Sequence, residues 1–117
     1  MIKPGQTLKH QEELVSTISS KLTEIVEIAV SDRQARLEEK VRLLFEAIRA
    51  GKKLNLLPSN VEVSSKSMRP FLKETRALGK IKTAGELRSL IVHDLRVRNI
   101  PEGICVLLEL GGNDPVQ

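Results

Sequence analysis

A 3-4 spacing of apolar residues over the N-terminal half is the feature that most restricts how this 117-residue chain can fold. Because an α-helix brings residues three and four apart onto one side, this spacing predicts amphipathic helices that pack against other helices. Asp32 and Arg33 interrupt the stripe. We therefore favour two helices with a hinge near Ser31 over a single helix from about residue 7 to residue 50, with Thr7 as the first N-cap. The stripe consists of Val15, Ile18, Leu22, Ile25 and Ala29, and it resumes at Leu37, Val41, Leu44 and Ile48.

Two uses of the first stripe are open from the sequence. It can form the core of its own domain, or it can form the seam of a homodimer or the docking site of a protein partner. A narrow, strictly 3-4 seam is typical of helices that pair between chains. We therefore predict self-association through Val15, Ile18, Leu22, Ile25 and Ala29.

The rest of the chain divides into a linker, a second helical unit and a tail. Turn-forming residues predict a linker, within which Val61-Glu62-Val63 can form at most one very short strand. A serine from Ser64 to Ser67 caps the next helix, which places Pro70 in its first turn and Gly79 at its end. The predicted fold is all-α or nearly so, with four to five helices. The units are residues 1–53, linker 54–65, residues 66–112 and tail 113–117.

Two more elements follow in the second unit. Thr83-Ala84-Gly85-Glu86 has the form of a capping box and predicts a helix after it. Pro101 can begin a final element through Leu110, which is either a helix or a strand. The run 104–108 is apolar on every side, so we expect it to be buried in either conformation.

The helix predicted after the linker carries a row of basic residues on one face. A cation recurs every three or four residues, and the apolar residues of the same segment fall on the other side. Such a row can neutralise successive phosphates of a nucleic acid, although solvated basic faces are also ordinary on helices. The predicted nucleic-acid-binding residues are Lys66, Arg69, Lys73, Arg76, Lys80 and Lys82.

Charge and composition narrow the choice of partner. From Arg49 to Arg98 there are 12 basic and four acidic residues, which favours an anionic partner. The chain has two Phe and no Tyr or Trp, so a base-stacking surface for single strands is not expected. We therefore predict contact with the backbone of a double-stranded nucleic acid.

One segment partly resembles ribbon-helix-helix DNA-binding domains in its order of elements. The segment runs from Val61-Glu62-Val63-Ser64 through Leu78-Gly79 to Thr83-Ala84-Gly85-Glu86. The resemblance implies base contacts from Asn60, Glu62 and Ser64, and a phosphate held by the backbone of residues 83–85. The charge of Glu62, the depth of Pro70 in the helix and the long turn after Gly79 depart from the family pattern.

No set of residues indicates catalysis or a metal. His93 beside Asp94 has no nucleophile or metal near it, His10 has no nearby partner, and Cys105 lies in an apolar run. The single cysteine excludes an internal disulfide, and no apolar run is long enough for a signal peptide or a membrane span. We predict a cytoplasmic protein that is not an enzyme and needs no cofactor.

The sequence is compatible with two functions from different classes. The first is a small regulator or accessory protein that contacts the phosphate backbone through its basic helix. The alternative is a helical protein–protein interaction adaptor or assembly subunit with no nucleic-acid role.

Overall fold

The described part of the chain folds into five α-helices, which confirms the predicted all-α class. A computed structural model of the protein describes residues 4–31 and 34–111, with side chains from residue 10 and, after the gap, from residue 35. Within these ranges there is no β-strand, and the final element is a helix. The helices are α1 (Pro4–Ala29), α2 (Leu37–Lys53), α3 (Ser65–Gly79), α4 (Ala84–Val97) and α5 (Glu102–Glu109), with a 3-10 turn at Gln34–Arg36 before α2.

The N-terminal half forms two helices, as the interrupted stripe predicted. Helix α1 begins at Pro4, which suits the first helical position because its missing N–H has no partner to lose there. The prediction of Thr7 as N-cap is therefore wrong. Helix α2 begins only after the 3-10 turn, and Arg36 precedes it without a side-chain cap. Asp32 and Arg33 lie outside the described residues.

The apolar stripe of α1 is buried inside the chain itself. Val15 is 4% exposed, Ile18, Leu22 and Ile25 are fully buried, and Ala29 is 1% exposed. Helix α2 is the main neighbour of α1, and α3, α4 and α5 also pack on it. These five residues are therefore not available to a second copy of the folded chain. The prediction that they form a self-association seam is wrong, and they form a domain core instead.

The segment between α2 and α3 is packed against the core. Leu56, Leu57, Val61 and Val63 are buried, although the segment contains no strand or helix. Two basic side chains of α2 bind carbonyl groups of this segment. Lys52 Nζ donates to the Val61 carbonyl at 2.6 Å, and Arg49 Nε donates to the Val63 carbonyl at 3.0 Å.

The two predicted helical units share one hydrophobic core. A single cluster of buried residues includes members of all five helices and of the segment 54–64. Residues 54–65 therefore connect the helices without separating two independently packed bodies. The predicted tail, residues 113–117, lies outside the described residues.

Helix α3 is held by close packing at its middle and at its C-terminal end. Phe71 contacts Phe45 of α2 edge-to-face, with ring centroids 5.2 Å apart. At the C-terminal end, a Cβ added to Gly79 would lie 2.5 Å from the Ala29 carbonyl oxygen, so only glycine allows α3 to approach α1 this closely. Pro70 is the sixth residue of α3, so the prediction that it lies in the first turn is wrong.

The last two helices begin as their sequences predicted, but α5 is less buried than expected. Thr83 caps α4, with its Oγ1 accepting from the Glu86 N–H at 3.3 Å. Pro101 precedes α5. An eight-residue helix covered from one side must expose its other side, so burial of the whole run was a wrong expectation. Its exposed apolar residues are Val106, Leu107 and, just after the helix, Leu110.

Candidate nucleic-acid interface

Helix α3 and its C-cap residue Lys80, which keeps helical backbone angles, place five of the six predicted binding residues on one face. At 100° per residue, Lys66, Arg69, Lys73, Arg76 and Lys80 fall within an arc of about 80°, and their rise along the axis is about 21 Å. The buried residues of this helix, Phe71, Leu72, Thr75 and Gly79, lie on the other side. We call these five cations the basic row. The row is straight because its 3-4 spacing follows the helical period.

The basic row has no counter-charge within the described part of the chain. All five side chains are exposed, and no described carboxylate lies within 4.0 Å of any of them. Lys82 differs from the row. It lies in the turn after α3, is only 37% exposed, and its Nζ is 4.0 Å from Glu86 Oε2. The structure therefore supports five free cations and one that is already paired.

The surface between the row's side chains is a shallow, open depression. Its lining residues are Arg69, Leu72, Lys73, Arg76 and Ala77 of α3 and Lys80, the C-cap residue of that helix. Glu74 lies outside the arc of the row, on the flank of the helix that faces α4, where it lines a narrow cleft together with Asp94. The carboxylates near α3 are thus kept off the face that carries the row.

Most of the other cations in the basic middle of the sequence are used to hold the fold together. Arg98 is the clearest case, because its side chain is 12% exposed and its guanidinium pairs with Asp94 at 2.6 Å. It also donates to the carbonyls of Glu62 and Ser67, at 3.2 Å and 3.4 Å. Its Cζ lies 5.3 Å from the ring centroid of Phe45 and 5.8 Å from that of Phe71. Arg98 therefore joins α4 to the segment before α3 and to α3 itself.

Arg88 is a second structural cation that sequence reasoning missed. Its guanidinium donates to the Leu108 carbonyl, to Thr23 Oγ1 and to Ser19 Oγ, each at 2.7 Å, and so joins α4 to α5 and α1. Ser19 in turn donates to the Gly111 carbonyl. Burial lowers the pKa of Arg88 from its usual value. Nothing local marks Arg88, because its partners are 20 to 69 residues away along the chain.

Arg96 joins α4 to α5 through two ion pairs. It pairs with Glu102 at 2.6 Å and with Glu109 at 3.1 Å. The hydrogen bonds to these carboxylates raise the pKa of Arg96 above its usual value, and the bond to Arg96 lowers the pKa of Glu102. Of the 12 cations from Arg49 to Arg98, Arg49, Lys52, Arg88, Arg96 and Arg98 therefore hold structural contacts. The five cations of the row hold none within the described part of the chain, and neither does Lys53 at the end of α2.

The residues implied by the ribbon-helix-helix resemblance do not form a reading strand. Asn60, Glu62 and Ser64 are exposed, but the chain around them makes no strand, and the Glu62 N–H donates to the Arg98 carbonyl at 2.9 Å. The backbone of residues 83–85 begins α4, as that resemblance implies. The strand that would pair across a dimer is missing from the segment, so the structure does not support the resemblance.

The remaining candidates for chemistry stay apart. His93 is exposed, and Cys105 is buried, which raises the pKa of its thiol. In the described ranges, no three His, Cys, Asp or Glu side chains lie close enough to hold a metal ion. None of the helices there is long and apolar enough to cross a membrane.

Comparisons with known proteins identify no relative of this chain. No protein-family model, no curated protein and no solved structure matches it.

Proposed function

We propose that this protein binds the phosphate backbone of a double-stranded nucleic acid through the basic row of α3, as a small regulator or accessory protein without enzymatic activity. The observation that carries the proposal is the partition of cations. Arg49, Lys52 and Arg98, which lie around α3, are engaged in ion pairs or hydrogen bonds to carbonyls, whereas the five of the row are exposed and unpaired within the described part of the chain. Unpaired cations at regular spacing release counterions from a polyanion, which is the main source of sequence-independent affinity.

The geometry predicts the salt dependence of binding. If all five cations contact phosphates of a duplex, the slope of log K against log salt approaches about −4.5. Affinity then falls about 500-fold between 50 and 200 mM salt. The surface of α3 offers no aromatic side chain, because Phe71 is buried against Phe45. Affinity for the duplex is therefore expected to exceed that for a single strand of equal length.

The test is fluorescence anisotropy of a labelled 20-base-pair duplex titrated with the protein over this salt range. Replacing Lys73 and Arg76 with Ala removes two cations from the centre of the row. The slope should then fall to about −2.7, and the affinity loss over the same range to about 40-fold. Both side chains are exposed, so the variant should unfold at the same temperature as the parent.

A charge-matched control separates a site from simple net charge. Arg42 and Lys53 of α2 are also exposed and lack a partner among the described residues. Their double replacement by Ala removes the same charge from another helix and should leave the slope near that of the parent. Equal weakening in the two double variants would show that binding follows net charge, and the row would not be the site.

A second candidate function is a protein–protein interaction module. The α1 stripe, which suggested this function in the sequence, no longer supports it, because the stripe is buried in the domain core. The observation that now favours it is the exposed apolar strip of Val106, Leu107 and Leu110 along α5. Sedimentation velocity over a range of protein concentrations should then show a homodimer, which Leu107→Ser with Leu110→Ser abolishes. A monomer at all concentrations would remove this candidate in its self-association form.

A further inference from the structure

Ile81 has the largest exposed fraction of any large apolar side chain that the structure describes, 74%. It lies in the turn between α3 and α4, between Lys80, the last cation of the row, and Lys82. The apolar residues within α3 are turned inward or partly covered, since Leu72 is 7% exposed and Met68 and Leu78 pack against the core. Ile81 is therefore an exposed large apolar side chain that directly follows the last cation of the row.

The turn that carries Ile81 is ordered by hydrogen bonds on both sides. The N–H groups of Ile81 and Lys82 both donate to the Leu78 carbonyl, at 3.0 Å and 2.9 Å. Thr83 then caps α4 through the Glu86 N–H. The β-branched side chain of Ile81 also has few rotamers to lose when it is covered. A partner that reaches Lys80 thus meets an apolar group held in place by its backbone.

We propose that Ile81 is an apolar wedge that contacts the minor groove of the duplex bound by the basic row, an inference that rests on the proposed function. Isoleucine is among the side chains that proteins insert between base steps, where it partly unstacks them and bends the duplex. Lys80, the free cation of the row next to Ile81, brings the turn to the duplex because it binds a phosphate that borders the groove. Ile81 then contributes affinity that does not depend on salt, together with a preference for easily deformed base steps.

The test compares Ile81→Ala with the parent on a 20-base-pair duplex that carries donor and acceptor dyes at its ends and a TA step at its centre. The substitution removes three carbon atoms and no charge. If the duplex buries about half of the surface of these three atoms, their loss should lower the affinity about tenfold at every salt concentration. The slope of log K against log salt should stay unchanged, because no charge is removed. The parent should shorten the end-to-end distance of the duplex, and the variant should leave it straight.

The control is Leu110→Ala, which removes an apolar side chain of 61% exposure beside α5, a helix that packs on α1 and α4. It should bind and bend the duplex as the parent does. If Ile81→Ala also binds and bends like the parent, the wedge is refuted while the basic row stands. A changed salt slope in Ile81→Ala would mean that it displaces the lysines, which also refutes the wedge. Absence of binding by the parent at low salt would overturn the proposed function itself.

Discussion

Gly79→Ala and Gly85→Ala are the same chemical change at two sites, and the structure predicts opposite signs for their effects on stability. A Cβ at Gly79 would lie 2.5 Å from the carbonyl oxygen of Ala29 and 2.8 Å from both its carbonyl carbon and its Cβ. Two of these atoms belong to the backbone of α1 and cannot turn aside as a flexible side chain would. A Cβ at Gly85, in the first turn of α4, would meet no atom within 4 Å.

The expected magnitudes follow from packing and helix preference. Overpacking of a tight contact costs about 1–3 kcal/mol, and the preference of a helix for Ala over Gly recovers up to about 1 kcal/mol, less at a helix end. Gly79→Ala should therefore lower the free energy of unfolding by about 1–2 kcal/mol. Gly85→Ala should raise it by about 0.5–1 kcal/mol, because it stiffens the unfolded chain without strain.

Urea denaturation followed by far-ultraviolet circular dichroism measures both variants. The midpoints should move in opposite directions with unchanged m-values, and the melting temperatures should move by about 4 °C per kcal/mol. A Gly79→Ala variant as stable as the parent would refute the close approach of α3 to α1. Destabilisation by Gly85→Ala would show that its surroundings are more crowded than the structure indicates.

Two further predictions concern charges around α3. Arg98→Met should lower the free energy of unfolding by about 2–4 kcal/mol, since it removes a partly buried ion pair and two charged hydrogen bonds. Arg36→Met is the exposed control: its pair with Glu39 spans 3.8 Å, and its loss should cost less than about 0.5 kcal/mol. Urea denaturation compares the two, and equal midpoints would contradict the structural role of Arg98. Glu74→Gln removes a carboxylate from the flank of the row, and a charge about 10 Å from a phosphate costs about 0.4 kcal/mol in water. Duplex affinity should thus rise about twofold at low salt and little at high salt, with no such rise for the exposed Glu38→Gln.

The local features of this protein were predictable from its sequence. Helix periods, the interruption near Ser31, the Thr83 capping box and the alignment of the basic row all depend on residues three or four apart. Such neighbours stay together whatever the rest of the chain does. This is why the all-α class and the five cations of the row on one face of α3 follow from the sequence without knowledge of the tertiary structure.

Tertiary structure decided which of these faces remain available. A 3-4 apolar stripe predicts that a helix packs against another helix, but it does not identify that helix. In this protein, α2 of the same chain covers the stripe of α1, and a second copy does not. The roles of Arg88 and Arg98 depend on carbonyls and rings 20 or more residues away, and that of Gly79 depends on Ala29, 50 residues earlier. Such groups come together only when the helices pack. Tertiary packing therefore determines which cations stabilise the fold and which remain free to bind a partner.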